Sequence, residues 1–344
     1  MDHILYFSNL KTTVLITGAN GFVGTNLFEA LKGDFHLVGL DVGSPGKYPP
    51  EDFFSWDALD RIPPVDAIIH LAGKAHDTAR IARDEEYFEV NTGLTQKIFD
   101  YFLHSTARKF IFFSSVKAVA DTVRGEWLTE EDTPEPLTAY GRSKLEAERF
   151  ILSRVNDFSP PSEIRLSQSS FLNSPFSIPL PQSVYVLRPA MIHGPGNKGN
   201  LNLLYRAVVK GIPWPLGAFE NQRSFTSMEN CAFVMRRLLE GDIPTGIYNL
   251  ADDEPVSTNE IIGLIASSLH RKPRIWRVPE GFIRAVARSG DFLRLPLNSE
   301  RLKKLTETYR VSNAKIKVAL GIEKLPVTSV EGLRKTLQSF GKLH

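Results

Sequence analysis

Residues 13–31 read TVLITGANGFVGTNLFEAL. Thr13–Thr17 is a short apolar run of strand-forming residues. It leads straight into glycines at 18, 21 and 24, and Thr25–Leu31 then has the character of a helix. Strand, glycine-rich turn and helix in that order is the context a dinucleotide site requires. Gly18 permits the tight turn, Gly21 lets the backbone approach a pyrophosphate, and Gly24 lets the helix pack close to the strand. The helix N-terminus then offers N–H groups and its positive dipole end to phosphates. Three spaced glycines in a chain holding 24 carry little alone; their strand and helix context carries the reading.

Outward from this turn, His36–Leu40 (HLVGL) forms a second strand-like run ending at Asp41, 17 residues after Gly24. A carboxylate there can accept hydrogen bonds from ribose hydroxyls and repels a 2′-phosphate. Val42 and Gly43 follow, with no Arg to hold that phosphate, so NAD is expected rather than NADP. Ala67–Leu71, Phe110–Phe113 and Val184–Leu187 continue the series of apolar runs. Helix-like stretches at Phe88–Ser105 and Ala139–Leu152 alternate with them. Strands and helices in alternation predict an α/β fold with a doubly wound parallel sheet.

After Pro189 the pattern loosens. Leu201–Lys210, Asn230–Glu240 and Thr258–Leu269 look helical, and Gly246–Leu250 is one more short strand. The expected organisation is a nucleotide-binding domain over residues 1–188 and a smaller mixed substrate domain over 189–344, with 245–251 returning to the main sheet. Asn156–Ser183, rich in Ser, Pro and Phe, reads as a surface insertion.

The chain has 344 residues, 42% hydrophobic and 23% charged, which excludes wholesale disorder. Lys plus Arg minus Asp plus Glu is 41 − 39 = +2, so bulk charge gives no reason to bind nucleic acid or an anionic membrane. The single cysteine, Cys231, cannot form an internal disulfide or a cysteine-rich zinc site. No metal site is expected. Met1–Leu10 lacks a basic n-region, and no apolar run approaches a membrane span. A cytoplasmic protein is the expectation.

Tyr140–Lys144 (YGRSK) places a tyrosine and a lysine four residues apart, on one helical face. Tyrosine titrates near ~10, and bringing it toward ~7 asks for about 4 kcal/mol of differential stabilisation. The Lys144 ammonium and an oxidised nicotinamide both favour the phenolate, and Lys144 could also donate to the nicotinamide ribose. Ser115 ends the preceding strand, where parallel sheets bind their ligands. Its hydroxyl could bond the substrate oxygen whose proton moves.

TGANGFVG, the Asp41 strand end, His70–Gly73 (HLAG), Val90–Thr92 (VNT), Ser114–Ser115, Tyr140–Lys144 and Arg188–Pro189 occur in a fixed order. Together they resemble the extended short-chain dehydrogenase/reductase family, in its NAD-dependent nucleotide-sugar epimerase/dehydratase branch. The resemblance covers about residues 12–255. It implies a Rossmann-type sheet, a homodimer, NAD as cofactor and a UDP-sugar as substrate. It implies Ser115, Tyr140 and Lys144 as the catalytic set. Gly18, Gly21, Phe22, Val23 and Gly24 would hold the pyrophosphate. Asp57–Ala58 would meet adenine, Leu71, Ala72 and Gly73 would line the cofactor, and Asn91 would lie near it. Asn200 and Arg223 would hold the substrate diphosphate. His193 stands where the family usually has Tyr and reads as a packing or cofactor-side residue. Ala118–Val119–Ala120 replaces the usual Val-Tyr-Gly.

Sugar 4,6-dehydratases of this kind carry an Asp–Glu pair right after the catalytic hydroxyl; here Val116 and Lys117 stand there, which argues against dehydration. The leading expectation is 4-epimerisation of a UDP-linked hexose or N-acetylhexosamine through a transient 4-keto sugar. The alternative is a reductase or dehydrogenase of a UDP-4-keto-6-deoxyhexosamine in surface-polysaccharide synthesis. A non-catalytic dinucleotide-binding regulator is the lesser alternative.

Overall fold

A computed structural model describes residues 11–74, 83–158, 182–197, 199–293 and 298–341. The chain divides into two compact units. The first comprises Met1–Ala120, Pro134–Arg188 and Asp242–Ile247; the second comprises Asp121–Thr133, Pro189–Gly241 and Tyr248–His344. This differs from a single cut after residue 188, because 121–133 falls in the second unit.

The first unit is built on a sheet in which apolar strands are buried on both faces. β1 (Thr13–Thr17), β2 (His36–Leu40), β3 (Phe53–Phe54), β4 (Ala67–His70), β5 (Lys109–Phe113), β6 (Ser183–Pro189) and β9 (Gly246–Leu250) lie in the order β3-β2-β1-β4-β5-β6-β9. Pairing from β3 to β6 is parallel, with Ile16 opposite Ile69 and Ile111 opposite Tyr185. This is a Rossmann-type sheet. The winding reverses between β1 and β4, and such reversals open a ligand crevice at the carboxyl ends of the strands.

α1 (Phe22–Leu31), α2 (Asp84–Tyr87), α3 (Leu94–Leu103) and α4 (Ala139–Phe158) cover the sheet. Leu15, Ile68, Phe110, Phe112, Val184 and Val186 point to one face and meet Ile98, Phe99 and Phe102 of α3 and Ala147 and Ile151 of α4. Phe99 sets its edge against Phe110, centroids 4.9 Å apart. Each such ring contributes roughly 1.5–3 kcal/mol on burial. The helix expected from Phe88 begins earlier, at Asp84, and its Phe88–Gly93 segment is a π turn. Turns of that kind are inserted where a helix must re-aim side chains. α4 runs on to Phe158, so 156–158 belong to it. Residues 159–181 of the expected insertion lie outside the described residues.

In the second unit β7 (Met191–His193) pairs in parallel with β8 (Phe225–Ser227). The unit's helices are α5 (Asn200–Val209), α6 (Met228–Glu240), α7 (Thr258–Ser268), α8 (Glu280–Leu293), α9 (Ser299–Thr306), α10 (Ala314–Leu320) and α11 (Ser329–Gly341), of which α6 and α11 lie against β8. Ser257 and Glu260 close a reciprocal cap at the start of α7, with bonds of 3.0 and 2.7 Å. Apolar clusters form among the described residues. One joins Leu201, Phe225, Ile261, Ile265, Leu333 and Phe340, and another joins Leu216, Phe219, Ile283, Ala287 and Leu302. His193 is fully buried, bonded through Nδ1 to Thr336 Oγ1 at 2.9 Å, which is a packing role. Among the described residues no helix is long and apolar enough to cross a membrane.

Candidate active site

The glycine turn leaves β1 and opens α1. Gly18 sits at φ +69°, a left-handed conformation that costs a side chain about 1–2 kcal/mol. A Cβ there would also meet the Ala72 nitrogen at 2.7 Å. A Cβ on Gly24 would strike the Gly18 carbonyl oxygen. The turn is therefore a cradle only glycine can build. The first-turn N–H groups of Phe22, Val23 and Gly24 have no acceptor one helical turn back. Asp41 follows β2, and its carboxylate accepts the backbone N–H groups of Asn20 at 2.8 Å and Val42 at 2.7 Å. Each oxygen keeps a further lone pair for a ribose hydroxyl. Asp57 is exposed and Ala58 half-buried, in a turn just after β3.

Behind the cradle runs a buried polar chain. The Thr95 hydroxyl donates to the Asn91 carbonyl at 2.6 Å and therefore accepts from His70 Nε2, 2.9 Å away. His70 Nδ1 then accepts from the Thr17 hydroxyl at 2.6 Å, and Thr17 Oγ1 accepts the Ala72 N–H at 3.1 Å. Burial first, and the Lys144 ammonium second, hold the His70 pKa well below the usual imidazole range. A neutral His70 thus ties the end of β1 to the end of β4 and to the π turn. Asn91, on that turn, accepts the Lys74 N–H at 2.7 Å and donates to Ser143 Oγ at 2.9 Å.

The strand-end residues Leu71, Ala72 and Gly73 connect this cradle to the proton-transfer group. At one end they touch Gly18. At the other, a Cβ on Gly73 would fall 2.8 Å from Asn91 Oδ1 and 3.0 Å from Lys144 Nζ. Tyr140 and Lys144 stand one turn apart at the start of α4. Thr138 caps that start, with Gly141 N–H bonded to its hydroxyl at 3.2 Å and Arg142 N–H to its carbonyl at 2.9 Å. Ser115 caps the short turn Val116–Ala118, accepting Lys117 N–H at 3.2 Å.

Burial pushes the Tyr140 phenol up, a hydrogen bond with the Ser115 hydroxyl pulls it down, and neighbouring Tyr87 adds a smaller upward push. The Lys144 ammonium donates to the Phe113 carbonyl at 2.9 Å and lies 5.0 Å from the centre of the Phe112 ring. Burial pulls Lys144 itself down to about 8, with Glu148 opposing.

Sequence reasoning missed two features. Glu148 is buried one turn beyond Lys144. It accepts from the Ser114 hydroxyl and from Arg188, through Nη2 at 2.6 Å and Nε at 3.0 Å. It thereby pins α4 to the ends of β5 and β6. Its i+4 spacing from Lys144 was the available signal. Gly141 is the second feature: a Cβ there would strike the Lys117 carbonyl oxygen and reach Pro136 Cβ at 2.8 Å. Glycine at this position lets α4 lie directly on the Ser115 turn.

Asn200 and Arg223 belong to the second unit, on different elements. Asn200 opens α5 and is exposed. Arg223 is half-buried, its backbone bridged to Val256 and Tyr309. Burial lowers its pKa, while Glu307 opposes. Among the described residues no cluster of three or more His, Cys, Asp or Glu could hold a metal.

A parallel sheet with a glycine cradle at its winding reversal, beside a Ser–Tyr–Lys set, defines a dinucleotide-dependent enzyme of the dehydrogenase/epimerase class. Residues 14–251 match the NAD dependent epimerase/dehydratase family, and the chain belongs to that family. It is 30% identical to a UDP-glucose 4-epimerase of Vibrio cholerae, over 96% of each chain. It is 25% identical to N-acetyl-alpha-D-glucosaminyl-diphospho-ditrans,octacis-undecaprenol 4-epimerase of Escherichia coli O157:H7, over 96% of this chain and 95% of the relative. Its fold matches the Bordetella bronchiseptica enzyme WbmG in complex with NAD, with a TM-score of 0.71 at 17% identity, covering 97% of this chain and 96% of that one. The cofactor is NAD, as the family's description states, and the glycine cradle and Asp41 fit it.

Proposed function

We propose that this protein is a NAD-dependent 4-epimerase of a UDP-linked hexose or N-acetylhexosamine, cytoplasmic and homodimeric. The observation that carries the reading is the continuity of the site. Leu71–Gly73 touches the phosphate cradle at Gly18 and reaches Lys144 at Gly73, one helical turn from the Tyr140 phenol. The relative of Vibrio cholerae, named as a UDP-glucose 4-epimerase, supports the substrate class.

Gly18, Gly21, Phe22, Val23 and Gly24 would hold the pyrophosphate and Asp41 the adenosine ribose. Asp57 and Ala58 would meet the adenine, and Asn91 would keep the Gly73 end in place. When bound, NAD supplies a reversible hydride acceptor and a positive ring. Tyr140 would accept the sugar's 4-hydroxyl proton as the alcohol is oxidised to the ketone, and would return it to that oxygen when the ketone is reduced from its opposite face. Ser115 would donate its one hydroxyl proton to the oxygen that loses its proton, stabilising the developing alkoxide. Lys144, cationic below pH about 8, adds positive charge near the base. Asn200 and Arg223 would bind the substrate diphosphate, Arg through its planar fork.

The test is incubation of purified protein with UDP-galactose, UDP-glucose and their N-acetyl forms, without added cofactor. Inversion at C4 is expected, and Tyr140→Phe should abolish it while NAD stays bound. Wild-type turnover in Tyr140→Phe removes the phenol from the mechanism. Turnover seen only with a keto sugar and added reduced cofactor replaces the epimerase with a reductase.

A further inference from the structure

The bulk charge of +2 conceals a local imbalance. Residues 271–293 carry six Arg and Lys against two Asp and Glu, a net of +4 in 23 residues. Both acids are engaged locally, Glu280 by Arg284 at 2.9 Å and Asp291 by the Ser299 N–H at 2.9 Å. Among the described residues no carboxylate pairs with Arg271, Lys272, Arg274, Arg277 or Arg288. Among the described residues the Arg271 and Arg274 guanidiniums bond backbone carbonyls, those of Val209 and Gly211. With Lys272, Val208 and Ile212 they line a surface cavity of about 390 Å³.

The same segment exposes large apolar side chains. α8 buries Ile283, Ala287 and Gly290 against its own unit and leaves its opposite side bare. Phe282 is 63% exposed, Phe292 89%, and Trp276, just before the helix, 58%. At 100° per residue Phe282 and Val286 fall within about 40° of each other, Ala285 and Ser289 beside them, Phe292 at one margin with Arg288 beyond it. The stripe is about 15 Å long at 1.5 Å per residue. An aromatic and aliphatic face bordered by arginine suits a helix lying in a lipid interface.

We infer that residues 271–292 form a docking surface for an anionic phospholipid bilayer, with α8 lying flat and its phenylalanines entering the acyl boundary. The cations beside it meet lipid phosphates. A second copy of this chain is a poor occupant, because a two-fold contact here would oppose like charges. A polyanion such as RNA would engage the arginines but leave the phenylalanines in water. The inference holds whichever sugar is turned over.

The experiment is vesicle co-sedimentation of the full chain with phosphatidylcholine alone and with 30% phosphatidylglycerol. Binding only to the anionic vesicles is expected. Phe282→Ser with Phe292→Ser should lower it about tenfold, and so should Arg277→Glu with Arg288→Glu. These side chains are exposed, so melting temperature and NAD binding should not move. Equal sedimentation with both vesicles, or none with either, overturns the inference. Loss of a dimer in Phe282→Ser/Phe292→Ser with unchanged vesicle binding overturns it in favour of a chain–chain contact. RNA binding that survives the phenylalanine substitutions, without vesicle binding, overturns it in favour of nucleic acid.

Discussion

Replacing Lys144 with methionine should stabilise the protein at neutral pH while disabling it. The lysine is buried, and its pKa falls from 10.5 to about 8. At about 1.4 kcal/mol per pH unit, holding it charged costs the fold about 3 kcal/mol. A methionine side chain would keep most of the volume without the charge. It would also leave the Phe113 carbonyl, now bonded at 2.9 Å, without its donor, a loss of about 1–2 kcal/mol. Glu148 keeps Arg188 and Ser114 as partners. The Lys144→Met variant should therefore gain about 1–2 kcal/mol at pH 7. Between pH 8 and 10.5 the unfolded wild type binds more protons than the native state, so wild-type stability rises with pH across that window. By pH 9.5 about half of the penalty is gone and the advantage of the variant should shrink to near zero. Urea denaturation of both proteins without added cofactor, at pH 7 and 9.5, reads this as a change of about 2 kcal/mol in the difference between them. A difference that does not move with pH, or that grows, would refute the buried-charge account.

Two further outcomes follow from the site. His70→Gln should remove an acid sensitivity. Neutral buried His70, with its pKa held down, costs wild type about 1.4 kcal/mol per pH unit as the unfolded imidazole protonates below ~6.5. Urea midpoints at pH 7 and 5 should therefore diverge less in the variant, and equal pH slopes would count against a neutral His70. Gly141→Ala places a methyl against the Lys117 carbonyl and should lift Tyr140 away from Ser115. A fall in kcat of about 100-fold is expected, with NAD affinity within about twofold; unchanged kcat would show that the two segments need not touch.

Much of the first unit was legible because its signals are local. TVLIT, the three glycines and the Asp41 strand end are consecutive or nearly so, and each is set by backbone geometry that a short window contains. The alternation of apolar runs likewise conveyed a parallel sheet, since strands covered on both faces must be apolar throughout. Boundaries were less legible. The π turn at Phe88–Gly93 and the extension of α4 to Phe158 answer to contacts with distant residues. The assignment of 121–133 to the second unit depends on pairing with a remote segment, as in the bridge from Leu128 to Val311.

The site divides the same way. Residue types at fixed spacing, such as Tyr140 and Lys144 on one helical face, were fixed by the chain alone because helix geometry is periodic. What Lys144 touches was not. Its attachment to Phe113, the clamp of Glu148 on Ser114 and Arg188, and the His70 chain join residues 25 to 55 positions apart. Nor did composition disclose the basic, apolar surface of residues 271–292, because a near-neutral total says nothing about where charges fall. Short-range stereochemistry is written in neighbouring residues; hydrogen-bond partners, buried charge and the distribution of surface charge exist only once the chain has closed on itself.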